Sequence, residues 1–198
     1  LTLATLTSGF NLLDVGTWWN ELIVYQKAIL WTMLLETLGL AGTWGPLCGR
    51  FKPMTGGLRY WLRPGTIRMA PWPEKVPGTG GDTRTVFDVV LYAAILVNLL
   101  LCVVLPGVPA RGMADQMVIN PYVVMPLVVT LVVMGLRDKV VFIASRGEQY
   151  YPAIIFFTFL AYTDIVIALK LLIVVVWIGA GISKLGRHFS HVIPPMIS

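Results

Sequence analysis

One apolar run near the end of the chain most constrains the fold. Residues 165–185, IVIALKLLIVVVWIGAGISKL, contain a single charged side chain, Lys170, before Lys184. A helix needs about 20 consecutive apolar residues to cross roughly 30 Å of hydrocarbon. Every backbone polar group must be paired within such a segment, so the run predicts a transmembrane helix. The small residues 179–181 near its end allow another helix or a ligand to approach the backbone closely.

The composition excludes a soluble globular protein. Of the 198 residues, 57% are hydrophobic and 13% are charged, whereas soluble domains carry about 25% charged residues. Further apolar segments of near-spanning length lie at 23–44, 86–105 and 118–136, and residues 1–10 look like the end of another span. We therefore predict an all-α integral membrane protein, with 1–198 forming one transmembrane helical domain of about five spans.

One apolar segment, 152–163, is too short to cross the bilayer alone. We favour a re-entrant or interfacial element here, and the alternative is half of a longer, broken crossing with Asp164 at the break. The chain begins at Leu1, which is not an initiator Met, and residues 194–198 form no closing element. We therefore also expect a fragment of a longer chain.

The charges of the loops predict the orientation. Residues 45–85 carry seven cations against two carboxylates, whereas residues 11–22 carry two carboxylates and no cation. By the positive-inside rule, 45–85 is a basic cytoplasmic loop. If 152–163 does not cross, the last span runs outward and Lys184 lies near the external face. If 152–163 crosses, that placement is inverted.

Aromatic side chains are interleaved with the cations of this basic loop. Cations beside a membrane attract anionic headgroups, and indoles anchor at the interface. The simpler explanation is that these residues fix the membrane topology and anchor the loop at the interface. The more specific alternative is a pocket that binds a lipid headgroup. No nucleic-acid partner is predicted, because loops that fix the topology explain the pI of about 9.4. The candidate headgroup-binding residues are Arg59, Arg63, Arg68, Trp61 and Trp72.

Three ionisable residues lie within or beside the predicted spans. A charge in hydrocarbon is costly, so Glu36, well inside 23–44, must be protonated, paired or directed into a polar cavity. For Glu36 a functional and a structural role both stay open. Asp164 and Lys170 flank the start of the last span, and pairing with neighbouring helices is the simpler interpretation for them.

Lys184, His188 and His191 form the candidate catalytic cluster. If the helix continues past Gly186, the spacing of four and then three residues places them on one face. A desolvated lysine can act as a base, and histidines can relay protons. No metal site is predicted, because the two His residues lack an obvious third ligand. By spacing alone we favour a cationic cluster that marks the end of a transmembrane helix.

Several runs resemble an uncharacterised family of multi-pass membrane proteins from mycobacteria and other actinobacteria. They are GTWGPLCGRFKPMTGG, RPGTIRMAPW, RTVFDVVLY and the final KLLIVVVWIGAGISKLGRHFSHVIPPMIS. The likeness covers nearly the whole chain and implies a multi-pass protein of the bacterial inner membrane, with members considerably longer than this chain. It implies no activity.

The run WIGAGISKLG also resembles a motif of the vitamin K-dependent γ-carboxylase-like superfamily, the horizontally transferred transmembrane domain. In the carboxylase the lysine of this motif deprotonates reduced vitamin K on the lumenal side, so the resemblance implies that Lys184 is a base. Trp177 stands one residue too far from Ala180, and Ser183 replaces another lysine of the carboxylase. A short motif match remains a hypothesis, and likeness of fold does not transfer function.

Three functions follow from these observations. The first is an accessory or structural subunit of a larger membrane complex. Its partners would be membrane lipids and other membrane proteins, and its ligand would be a quinone or a lipid. Long Val/Leu/Ile spans with small-residue patches suit helix packing and favour this function slightly. The second is a membrane enzyme that acts on a lipid-soluble substrate with Lys184 as base. The third is a transporter component, which we rank last because no inverted repeat is visible.

Overall fold

A computed structural model describes residues 2–40, 57–139 and 147–186 of the chain. Helices account for most of these residues, and one small β-hairpin lies near the middle of the chain. The elements in chain order are α1 (Thr2–Thr7), α2 (Val15–Trp18), α3 (Leu22–Leu38), α4 (Gly57–Trp61), α5 (Val86–Val104), β1 (Val108–Ala110), β2 (Met113–Val118), α6 (Pro121–Arg137), α7 (Gly147–Phe159) and α8 (Tyr162–Ser183).

Two of the described helices are long and apolar enough to cross a membrane. They are α5, Val86–Val104, and the segment Tyr162–Ile182 of α8. The apolar helix α6 is shorter, and α3 ends at Gly39, whose φ of 78° caps the helix in the left-handed conformation that glycine adopts readily. Residues 41–44 of the predicted span 23–44 lie outside the described residues. The number of five spans therefore stays a prediction.

The small hairpin β1–β2 was not predicted for this all-α chain. Its strands pair antiparallel, with Val108 opposite Val118, and Gly112 makes the turn with a φ of 84°. The helix predicted from residue 118 therefore starts later, at Pro121, after the side chain of Asn120 accepts a hydrogen bond from the Tyr122 N–H at 3.0 Å. Proline at the first helical position lacks only an N–H that would have no partner in the helix.

The hydrophobic core lies where α3, α5, α6 and α7 meet. Leu30, Leu99, Val124 and Leu127 are fully buried there, together with residues from α1 and α4. A second cluster packs the hairpin against α3, α7 and the start of α8, and Phe157 is its largest buried side chain. The hairpin thus marks one end of the helical bundle.

Between α6 and α8 the chain returns from one end of the bundle to the other. The hairpin precedes the first residue of α6, and Arg137 ends that helix at the opposite end. The backbone N–H of Tyr162 then donates to the carbonyl of Arg111 in the hairpin turn at 3.1 Å. The stretch that contains α7 therefore carries the chain along the length of α6, and α8 begins beside the hairpin.

Candidate functional site: a groove beside the last helix

A groove of about 670 Å³ lies between α8 on one side and α3 and α7 on the other. Its lining is mainly aliphatic and aromatic with a few polar groups, which is the composition of sites that bind small lipid-soluble molecules. A second cavity, of about 240 Å³, lies between the hairpin and the connection from α7 to α8. The larger groove is the candidate site.

The α8 wall of the groove is one regular face of the helix. Tyr162, Val166, Leu169, Ile173 and Val176 line it at intervals of four and three residues, the spacing that keeps side chains on one side of a helix. Only 6% of the apolar segment of α8 is buried within the protein. The described residues therefore leave the rest of its surface uncovered.

The opposite wall comes from the start of α3 and the start of α7. Leu22, Tyr25 and Ile29 face the groove from α3, and the Tyr25 hydroxyl donates to the carbonyl of Trp19 at 2.5 Å. Gln149 and Ala153 face it from α7. The methyl group of Ala153 occupies little space, which helps to keep the groove open.

Among the described residues, Lys170 is the one charged side chain in this lining. It lies eight residues after Tyr162, about 12 Å along the helix axis at 1.5 Å per residue. Its side chain is exposed, and it forms none of the ion pairs found among residues 2–40, 57–139 and 147–186. The sequence interpretation was pairing of Lys170 with a neighbouring helix, and no such pair occurs among the side chains that the structure describes.

Residues 57–85, the described part of the basic loop, fold onto the opposite end of the bundle. The backbone of residues 65–68 pairs with that of residues 82–84: the Gly65 N–H donates to Arg84 O at 2.8 Å, and the Arg68 N–H donates to Asp82 O at 2.6 Å. These bonds accompany the burial of Arg68 and Arg84 beside α5 and α6. The described part of the loop, residues 57–85, is therefore an integral part of the fold.

Arg68 uses all of its side-chain donors inside the protein. Its two Nη groups donate to four carbonyl oxygens at 2.6–3.1 Å, and its Nε donates to Thr83 O at 3.4 Å. A guanidinium has five N–H donors, so each of them has a partner. The carbonyl oxygens that accept from the Nη groups belong to Thr79, Gly80, Gly81 and Arg137.

Asp88 is the anion at the centre of this end. It completes the capping box of α5, where its Oδ2 accepts from the Thr85 N–H at 2.8 Å. The same carboxylate accepts two hydrogen bonds from the Arg137 guanidinium, and the Arg68 Nε lies 3.7 Å from it. One fully buried carboxylate thus joins the start of α5, the end of α6 and the loop.

Arg84 forms a second buried ion pair. Its Nη2 donates to Asp138 Oδ2 at 2.6 Å, and both side chains are fully buried. The guanidinium lies 4.3 Å from the ring centroid of Trp61, a cation–π contact that holds α4 against the loop. The Nε donates to the Thr66 hydroxyl at 3.0 Å.

The candidate headgroup residues fall into two groups. Trp61 and Arg68 are 1% and 2% exposed and are directed into the protein. Arg63 and Trp72 are exposed and face the surroundings. Arg59 lies in α4, and its side chain is outside the described part. Arg63 and Trp72 are therefore the described members with a surface for a lipid headgroup, and headgroup binding stays a prediction.

Buried polar groups on α3 serve packing. The Gln26 Oε1 accepts from the Ile119 N–H at 2.9 Å, and the Lys27 Nζ donates to Thr7 O at 2.8 Å. These bonds join α3 to the hairpin segment and to α1. Glu36 is 7% exposed near the end of α3, next to Thr37, whose carbonyl accepts from the Tyr92 hydroxyl at 2.6 Å. Glu36 does not contribute to the lining of the groove.

The candidate catalytic cluster is placed only in part. Lys184 follows the last residue of α8 and is exposed, and neither cavity described above has it in its lining. His188 and His191 lie outside the described residues. Asp164 is exposed in the first turn of α8. Neither Lys184 nor Asp164 lines the groove, and among the predicted residues whose side chains the structure describes, Lys170 is the one that does.

A comparison with known protein families covers the whole chain. Residues 1–198 match the model of the family DUF3556, described as transmembrane proteins of unknown function. The chain belongs to this family of transmembrane proteins. No curated protein and no solved structure matches it.

Membership in DUF3556 confirms the predicted transmembrane protein and the location in a membrane. The two spanning helices agree with that description. An actinobacterial origin, a multi-pass topology in the bacterial inner membrane and the carboxylase-like motif stay predictions.

Sequence reasoning missed most of the groove. The recurrence of Tyr162, Val166, Leu169, Ile173 and Val176 on one face of the last span was a readable signal. Its meaning depended on which helices pack against that face, and Tyr25 and Gln149 come from distant parts of the chain. No local pattern marks those two residues as neighbours of α8.

Proposed function

We propose that this DUF3556 protein is a non-catalytic membrane component that holds a lipid-soluble molecule in the groove beside α8. The observation that carries the proposal is the groove itself, whose described walls are mainly aliphatic and aromatic, with Asn20 and Gln149 as polar groups and Lys170 as the one cation. A volume of about 670 Å³ falls within the roughly 300–1,000 Å³ that is usual for small-molecule sites. A lipid chain or a quinone has the apolar surface that such walls bury.

Filling the groove tests this proposal. Val176 lines the groove, whereas its neighbour Val175 is exposed on the outer side of α8. We expect Val176→Trp to lower the amount of lipid-soluble molecule retained after detergent purification several-fold. Val175→Trp, the matched control, should leave it unchanged. Native mass spectrometry of the purified protein measures the retained molecules, and equal retention in both variants and the unaltered protein contradicts the proposal.

The placement of Lys184 favours this function over the enzymatic alternative. Lys184 is exposed beyond the end of α8, outside both cavities. A lysine gains basicity suited to catalysis by losing hydration, which needs an enclosed site. Catalysis by Lys184 with His188 and His191 stays the second candidate. It predicts that Lys184→Met abolishes turnover of a quinone-type substrate without loss of the fold.

The path of α7 supports the crossing alternative for 152–163. Between Arg137 and Tyr162 the chain moves from the end of the bundle that carries the basic loop to the end that carries the hairpin. With the basic loop cytoplasmic, α8 then runs inward and Lys184 lies on the cytoplasmic side. The carboxylase resemblance requires the external side, so this orientation weighs against it.

Cysteine labelling from one side of the membrane tests the orientation. In a background without Cys48, exposed positions are replaced one at a time as Lys184→Cys, Lys75→Cys in the basic loop and Arg111→Cys in the hairpin; the native Cys102 is buried. A membrane-impermeant maleimide should label positions 184 and 75 from the same side and position 111 from the other. Labelling of 184 together with 111 contradicts the inward path of α8.

A role within a larger complex is supported by the exposed surface of α8. The helix is covered along one face only, and a methyl group added at Gly179 or Gly181 would meet no atom of the described residues within 4 Å. Close approach of another helix is possible there. Purification in mild detergent should then recover a second membrane protein in fixed proportion, and recovery of this protein alone counts against a complex. Transport stays the third candidate, with Glu36 as its ionisable group.

A further inference from the structure

We propose that the groove holds an anionic phospholipid whose headgroup pairs with Lys170. This inference rests on the proposed function and names the chemical class of the ligand. Its starting point is that the described residues of the lining include one cation and no carboxylate. A neutral quinone would leave that cation without a counter-charge.

A cation within a span needs a partner. Lys170 lies about 12 Å from Tyr162 along α8, inside the apolar segment Tyr162–Ile182. A charged side chain at such a depth is costly and usually pairs or extends toward the interface. Among the side chains that the structure describes, Lys170 forms no ion pair, and the ion pairs found there all lie where residues 57–85 meet α5 and α6, the basic-loop end of the bundle. The phosphate of a lipid supplies the missing anion from the membrane itself.

The groove carries polar groups at its hairpin end and an apolar lining farther along α8, with Gln149 of α7 as a further polar group. Asn20 and Tyr162 line it near the hairpin, where α3 and α8 both begin, and an amide N–H of Asn20 can donate to phosphate or ester oxygens. Ile173, Val176 and Trp177 line it farther along α8. A phospholipid of the leaflet on the hairpin side fits this order when its phosphate lies beside Lys170, away from Glu21 and Asp115, whose charges act on Tyr162, and its acyl chain runs along Ile173 and Trp177.

Lipid selection from vesicles of defined composition tests the proposal. The full chain is reconstituted in phosphatidylcholine containing one fifth phosphatidylglycerol, extracted again in detergent, and analysed by native mass spectrometry for retained lipid. One cation near an anionic lipid should enrich phosphatidylglycerol about fivefold over the bulk ratio. Lys170→Gln should remove that enrichment, and Lys170→Arg should keep it. Lys75→Gln, which removes an exposed cation outside the groove, is the control.

The outcomes separate this inference from the proposed function. If both lipids are retained in the bulk ratio and Val176→Trp removes this retention, the ligand is not selected for its charge. The inference of an anionic ligand is then overturned, and the groove stays a lipid site. Enrichment that survives Lys170→Gln also overturns the inference, because another cation then selects the lipid. Retention that is insensitive to Val176→Trp overturns the proposed function and this inference together.

Discussion

The cations at the basic-loop end and the cation of the groove have opposite surroundings. Arg68, Arg84 and Arg137 donate to carbonyl and carboxylate oxygens of the protein, and Asp88 and Asp138 balance much of their charge. Lys170 faces an apolar groove whose described lining contains no carboxylate. The role of a basic residue in this membrane protein therefore follows from its partners. The arginines stabilise the fold, whereas the lysine faces the groove.

Asp88→Asn should break the basic-loop end most severely. It weakens the capping box of α5 and leaves Arg137 without its anionic partner. Breaking one side of a buried ion pair costs about 3–5 kcal/mol, so thermal unfolding in detergent should show a large loss of stability. The control is Asp82→Asn, at an exposed carboxylate of the basic loop, which should change the unfolding temperature little. Equal stability of the two variants contradicts the structural role of Asp88.

Arg84→Lys should have a smaller effect of the same kind. A lysine keeps the charge near Asp138, but it cannot also donate to Thr66 and stack on Trp61 as the guanidinium does. We expect a loss of about 2 kcal/mol in the free energy of unfolding, within the usual range for one buried polar substitution. Arg63→Lys, at an exposed arginine, is the control. If both variants unfold alike, the buried pair does not stabilise the fold.

Trp61→Phe should cost less again. Trp61 is 1% exposed and contacts Arg84 and Tyr92, so the smaller ring loses packing and part of the cation–π contact, about 1 kcal/mol. Trp72→Phe, at an exposed indole, should leave unfolding unchanged. It should instead weaken binding to vesicles if Trp72 anchors at the interface. The reverse pattern would show that the burial of these two residues is assigned wrongly.

Lys170→Gln should have the smallest effect on stability, within about 0.5 kcal/mol, because no partner in the described part of the protein is lost. The effect belongs instead to lipid retention. A loss of stability as large as that of Asp88→Asn would remove the distinction between the two ends, since Lys170 would then be a structural cation. Unfolding curves recorded in the same detergent decide this.

Much of the fold was predictable from local sequence. Hydropathy located α5 and α8. The interior position of Arg68 was not predictable, because it depends on backbone bonds between residues far apart, such as Arg68 with Asp82. The path of 152–163 had the same difficulty, since contacts between distant residues, such as Tyr162 with Arg111, show where α8 begins.

Prediction of the candidate site was limited in the same way, by contacts between residues far apart in the chain. Lys170 was identified as an ionisable residue beside a span, and its neighbours were expected to pair with it. Whether they do depends on which side chains of α3 and α7 reach α8, and periodicity within α8 cannot supply that information. The candidate site was therefore predictable as one residue and not as a cavity.

Photo-crosslinking with a phosphatidylglycerol that carries a diazirine on its acyl chain tests the central claim most directly. The full chain in vesicles is irradiated, and the modified residues are mapped by peptide mass spectrometry. The account predicts adducts concentrated on the groove side, at Val176, Trp177 and Ala153, and fewer of them in Lys170→Gln. Adducts spread equally over the outer residues of α8, such as Val175, and unchanged by Lys170→Gln would contradict it.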